Sequence, residues 1–177
     1  MKEIITFGSF EGNPLEWRVL DKTDESMLLI TKKPLMRKCY HDKEDYTSWK
    51  DCTLRKWLND EFFSTSFSDE ERSRILVSKL HNESNEGKWT SPGGIVVNCM
   101  GKGGEDTSDR IFLLSLSEFR KYYGEKCDDA TVWWWLRTPG RRTYRAVTVS
   151  HTGELYIGGD YVDSGIFIRP VMRISII

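Results

Sequence analysis

Trp133-Trp134-Trp135 runs directly into Leu136-Arg137-Thr138-Pro139-Gly140 and then into the basic stretch Arg141-Arg142-Thr143-Tyr144-Arg145. Tryptophan rings can offer a flat platform to a sugar or another planar ligand, and they also fill cores. Along a strand, neighbouring side chains point to opposite faces. Trp134 therefore points one way, and Trp133 and Trp135 the other. Both faces then need cover, from a core or from a ligand. The reading assigns Trp134 to the core and leaves Trp133 and Trp135 as ligand contacts. The basic loop could grip a phosphate or a base, and it is equally the composition of an exposed turn. Arg137 and Arg169 lie inside apolar strand-like sequence. A buried guanidinium needs a partner. Asp109 is the first candidate for a structural ion pair with them, and Glu16 or Glu118 could serve as well.

Other chemistry fails on spacing. Cys39, Cys52, Cys99 and Cys127 contain no C-x-x-C pair and no nearby histidine, so no metal site is expected. They read as free, mostly buried thiols. Gly101-Lys102-Gly103-Gly104 lacks the phosphate-loop spacing. His41, His81 and His151 are far apart in polar segments, and no carboxylate pair is singled out, so no catalytic residue and no cofactor is assigned. His151 precedes a hairpin turn and reads as solvated.

The elements that must position these residues form an α+β pattern. Strand-like stretches at 4–10, 16–20 and 27–31 make an antiparallel meander. Ser48 suits an N-cap with Asp51 three residues on. Leu54, Trp57, Leu58 and Phe62 then recur at helical spacing and predict the helix face of the core. Ser68 with Glu71 predicts a second short helix over 69–74. Residues 81–108 read as a long excursion with short strands such as Ile95-Val96-Val97. A strand at 110–114, a short helix at 117–123, a strand at 132–137 and a hairpin around Thr152-Gly153 follow. The last strand runs from Gly165 to Ile176 and is expected to pair with the amino-terminal strand. At 177 residues the chain reads as a single domain, 1–177. Its net charge of −1 disfavours nucleic acid as a partner, and its 12% aromatic content disfavours disorder. No apolar run has the length of a membrane span, so no membrane insertion is expected. The start lacks a signal-peptide pattern. The expectation is a cytoplasmic protein, or an extracellular or cell-surface one if an export signal has been removed.

Several of these stretches occur together in one family. They are Phe7-Gly8 with Glu16-Trp17-Arg18-Val19-Leu20, then Trp49 with Thr53-Leu54-Arg55-Lys56-Trp57-Leu58-Asn59. Asp109-Arg110-Ile111-Phe112-Leu113-Leu114-Ser115, the Trp-Trp-Leu-Arg-Thr-Pro-Gly run and the closing Gly165-Ile166 with Ile168-Arg169-Pro170 follow in order. The chain resembles an uncharacterised bacterial family of Firmicutes, a domain of unknown function with a Trp-Trp-Leu-Arg-Ser-Pro-Gly-type signature. That family is distantly similar to the C-type-lectin-like fold, in the branch shared with formylglycine-generating enzymes. The resemblance implies twisted antiparallel sheets with two or three short helices and adjacent terminal strands. The catalytic cysteine pair of the formylglycine branch is missing, since no cysteine follows Cys127. The calcium-binding triplets of animal lectins are missing too. The expected function is a non-catalytic binding module for a glycan or a protein, with an enzyme of unknown reaction or a nucleic-acid binder as alternatives. The expected binding face lies beyond the tryptophan strand and the late hairpin. Its contacts are Trp133, Trp135, Arg141, Arg142, Tyr144, Tyr156, Asp160 and Tyr161.

Overall fold

A computed structural model describes residues 3–176. The first three strands, β1 (Ile4–Phe10), β2 (Asn13–Lys22) and β3 (Ser26–Thr31), form the meander that the sequence predicts. The tight turn between β1 and β2 places Glu11 at φ 49° and Gly12 at φ 79°. A short β4 (Arg37–Lys38) follows.

The helix predicted from Ser48 starts later. Ser48 Oγ instead bonds Asp51 Oδ2 within a turn. The true N-cap is Cys52, whose Sγ accepts the Arg55 N–H and donates to the Trp49 carbonyl. Burial pushes the Cys52 thiol up to about 12, so it stays neutral in this role. Helix α1 (Thr53–Trp57) continues through a π-helical turn, Leu58–Phe62, into α2 (Phe63–Ser66). Leu54, Leu58 and Phe62 are fully buried. Trp57, expected among them, is only half-buried. It sits on the flank, edge-on to Phe10 and beneath the Lys38 ammonium. The π turn rotates the following residues and keeps positions four apart facing inward.

Helix α3 (Asp69–Arg74) carries the full capping box of Ser68 and Glu71. Glu71 Oε1 also accepts the Gly8 N–H at 2.7 Å, which ties this helix to β1. Strands β5 (Ile75–Leu76) and β6 (Ser78–Leu80) come next, then a hairpin of β7 (Asn85–Thr90) and β8 (Val96–Gly101). After β9 (Thr107–Asp109) and β10 (Ile111–Phe112), helix α4 (Leu116–Tyr123) has a second capping box, from Ser115 and Glu118. The chain ends with β11 (Trp134–Pro139), β12 (Arg145–Val149), β13 (Leu155–Tyr161), β14 (Ile166–Phe167) and β15 (Val171–Ser175).

Two larger sheets result, and the fold is mostly β with short helices, an α+β class. One sheet has the order β1-β2-β3-β15-β10, with β5 also on β15. The other has the order β13-β12-β11-β14-β4. Among the described residues every strand pairing is antiparallel except β11 with β14. The terminal strand is not continuous. Arg169-Pro170 carries it from the second sheet to the first, because proline cannot donate to a ladder. The amino- and carboxy-terminal strands are not adjacent either. Both edges of β15 are taken, by β3 on one side and by β10 and β5 on the other, so β2 and β3 separate it from β1.

The buried ion pairs depart from the first candidate, Asp109, but include the alternative, Glu118. Arg137 and Arg169 are both 2% exposed, but neither pairs with Asp109. Arg137 meets Glu118 in a bidentate contact and also donates to the carbonyls of Leu113 and His81 and to Asn82 Oδ1. Glu118 reaches it because the capping box holds its carboxylate at the start of α4, beside β11. Arg169 donates to the carbonyls of Thr31 and Lys32 and stands 3.7 Å from Asp129. Asp109 is taken by Arg55 of α1 and by the Trp49 indole.

Candidate functional site

The register of the second sheet decides which way the three tryptophans face. Trp134 lies opposite Val149, which lies opposite Leu155. Directly opposed residues share a face. That face is core, where Trp134 packs on Phe119 at 5.8 Å and carries the Arg169 guanidinium 5.0 Å above its ring. Trp135 lies opposite Thr148, which lies opposite Tyr156, on the other face. This face is covered at the Trp135 end. Tyr40 packs against the Trp135 ring at 5.8 Å, and the Trp135 Nε1–H donates to the Lys38 carbonyl. Trp135 is fully buried, which removes it from the expected ligand contacts.

At the Trp133 end the same face is open. Trp133 is 36% exposed and directly precedes β11. Its ring meets Tyr156 edge-on at 5.7 Å and His151 at 6.1 Å. Trp89 of β7 stands edge-on to Tyr156 at 5.1 Å and extends the aromatic row. Two open cavities adjoin on Trp133 and His151. One, of about 480 Å³, is lined by Arg37, Asp160, Ser164 and Phe167, among others. The other, of about 460 Å³, is lined by Tyr156, Glu154 and the β7–β8 turn at Pro92-Gly93. Each falls in the size range of small-ligand sites. Trp133 and His151 line both, and the pair of cavities is called the groove below.

Each wall is positioned by a definite local cause. Phe167 N donates to the Trp133 carbonyl at 3.2 Å and fixes β14 beside the tryptophan. Arg37 pairs with Phe167 in the sheet and rests its guanidinium 5.1 Å over that ring. Asp160, which lines the first cavity, accepts the Thr148 hydroxyl on Oδ2 at 2.7 Å. His151 is brought in by the turn of the late hairpin. Gly153 in that turn has φ 87°, and a Cβ there would meet the Cys127 carbonyl oxygen at 1.9 Å. Only glycine fits so close an approach with that backbone. The turn is then bonded to the 124–132 loop through Cys127 N–H to the Gly153 carbonyl at 2.9 Å. Gly158 lets Trp89 close on the sheet, since a Cβ would come within 2.9 Å of its ring.

The loop that delivers Trp133 is held by Asp129. Its carboxylate accepts from the Cys127 thiol at 2.8 Å and pairs with Arg18 of β2, with Arg169 nearby. Burial opposes its charge, but the thiol and the two guanidinium groups outweigh that and hold the carboxyl below its ordinary value. A depressed folded value means stability that is present above the ordinary carboxylate range and lost as pH falls through the lower folded value. Asp129→Asn is therefore expected to destabilise the protein at pH 7, with the gap to the native protein shrinking below about pH 4. Urea midpoints at pH 7, 4 and 3 measure it; a gap independent of pH would show that the carboxylate charge contributes nothing.

Of the ligand contacts expected from sequence, Trp133, Tyr156 and Asp160 line the groove. Tyr144 and Tyr161 gather elsewhere. They stack on each other at 6.1 Å, with Tyr46 edge-on to Tyr144 and the Arg145 guanidinium 3.9 Å over Tyr161. Arg141 is tied by its backbone to Gly158 and Met100, and neither it nor Arg142 lines the groove. Sequence reading missed Arg37, His151, Glu154 and Phe167. Arg37 sat in an irregular polar stretch with no period, and His151 carried only the signal of a turn.

No curated protein and no solved structure shows significant similarity to the chain. Residues 24–176 match the model of the family described as Domain of unknown function (DUF6273), a span that leaves out β1 and β2 but includes every residue lining the groove, and the chain belongs to this family.

Proposed function

We propose that this chain is a non-catalytic carbohydrate-binding module, with a C-type-lectin-like fold, that takes its ligand on the Trp133 groove. The observation that carries the reading is the half-open Trp133 ring at the junction of two cavities that also present carboxylate, guanidinium and hydroxyl groups. A pyranose has an apolar C–H face and a rim of hydroxyls. An exposed indole covers the first, and charged or hydroxyl side chains bond the second. Both cavities are open to solvent, as binding to a unit within a polymer requires. Tyr156 and Trp89 continue the aromatic surface beyond Trp133.

Titration with a panel of oligosaccharides, followed by tryptophan fluorescence or calorimetry, tests this. Trp133→Ala is expected to weaken binding at least tenfold, about 1.4 kcal/mol, with unchanged circular dichroism. Tyr144→Ala combined with Tyr161→Ala is expected to leave binding unchanged. Affinity that survives Trp133→Ala but falls in the tyrosine pair would move the binding face to the Tyr46 cluster. If no saccharide binds, the carbohydrate reading fails.

A further inference from the structure

The two halves of the groove differ in charge, and the difference selects a kind of glycan. This inference rests on the carbohydrate reading above. In the first cavity the Arg37 guanidinium stands 5.1 Å over the Phe167 ring. Among the described residues it has no carboxylate partner and makes no hydrogen bond. A planar guanidinium with all its N–H groups free binds a carboxylate in a two-point contact. Asp160 lines the same cavity with one oxygen committed to Thr148. Its free oxygen accepts hydroxyls and repels a carboxylate. A sugar acid would therefore be oriented, with its carboxylate toward Arg37 and its ring hydroxyls toward Asp160. In the second cavity the acidic lining group is Glu154. Glu154 disfavours a second carboxylate there, whereas Tyr156, Trp133 and Pro92 offer an apolar bed to a neutral unit.

We propose that the groove recognises a glycan in which an acidic sugar alternates with a neutral one, the acidic unit held by Arg37 beside Asp160 and the neutral unit on Tyr156 and Trp133. The ligand class is a polymer with a carboxylate on every second residue, as in uronic acid–hexosamine repeats.

The test compares three probes on the full chain: a hyaluronan tetrasaccharide, the same tetrasaccharide with its carboxyl groups reduced to alcohols, and tetragalacturonate, which is acidic at every unit. The native protein is expected to bind the hyaluronan fragment at least tenfold more tightly than the other two. Arg37→Met, an exposed position, is expected to keep the fold by circular dichroism and to bind the native and reduced fragments equally. Trp133→Ala is expected to lose both. Equal affinity of the native protein for native and reduced fragments, lost in Trp133→Ala, overturns the acidic unit while the carbohydrate reading stands. A preference for the acidic fragment that persists in Arg37→Met overturns the assignment to Arg37. Equal or tighter binding of tetragalacturonate overturns the alternation. Failure of all three probes, when neutral saccharides from the panel do bind, overturns the inference alone. Failure of every saccharide removes it together with the reading beneath it.

Discussion

Arg55→Met is expected to lower the free energy of unfolding by about 3–5 kcal/mol, the range for removing one partner from a buried ion pair. Asp109 is 1% exposed at its side chain, and its only cationic partner among the described residues is Arg55. The Arg55 Nε–H donates to Asp109 Oδ1 at 2.7 Å, with Nη2 at 2.6 Å from the same oxygen. The Trp49 indole and the Thr107 hydroxyl, each at 2.9 Å, complete the other oxygen. Neutral donors remain after the substitution, but the charge stays buried without its counter-ion. Adding Asp109→Asn to Arg55→Met removes that charge and is expected to recover a large part of the loss. Urea unfolding at unchanged slope measures both. A loss below about 1 kcal/mol for the single variant would place this pair with exposed salt bridges, which contribute little. The effect reaches beyond one contact, because Arg55 and Trp49 belong to the helical layer while Asp109 belongs to β9. Their shared carboxylate joins the two.

Local patterns were legible in the sequence wherever one element sufficed to explain them. The α3 helix was visible because Ser68 and Glu71 make a complete capping box within four residues. The meander and the late hairpin were visible from alternation and turn residues. The start of α1 was not, because Ser48 and Asp51 imitate a cap whereas a buried cysteine performs the capping. The break in the last strand had a local sign in Pro170, but that residue alone does not say that the chain changes sheets. Ion pairing was legible only in part. Glu118, 19 residues from Arg137, was among the partners the sequence offered, but Arg55, 54 residues from Asp109, was not. Sequence put Arg55 on the polar face of its helix, and the fold turns that flank toward a carboxylate. The groove shows the same limit. Trp133 announced itself as one of three tryptophans, whereas Arg37 and His151 arrive from segments 96 residues before and 18 after it and have no pattern of their own.

Trp134→Ala is expected to cost about 3–5 kcal/mol, the range for deleting a fully buried large aromatic side chain. Two effects combine there. The ring is 1% exposed and packs on Phe119, which itself stacks on Tyr123 at 5.1 Å. It also carries the Arg169 guanidinium, which is 2% exposed and so gains more from an aromatic face than a hydrated cation would. Removing the ring leaves a cavity beside a buried charge at the point where the chain crosses between sheets. Trp134→Phe separates these effects. The Trp134 indole N–H has no hydrogen-bond partner among the described residues, so phenylalanine loses no hydrogen bond and keeps an aromatic face under Arg169. Trp17 is the informative contrast. It is equally buried, but its Nε1–H donates to the Phe7 carbonyl at 2.7 Å, so Trp17→Phe removes a buried hydrogen bond as well as volume. The expected order of destabilisation is Trp134→Ala, then Trp17→Phe, then Trp134→Phe, read from urea midpoints at constant slope. If Trp134→Phe proved as damaging as Trp134→Ala, the indole's full width would be what the site requires, and the aromatic face beneath Arg169 would carry little of the stability.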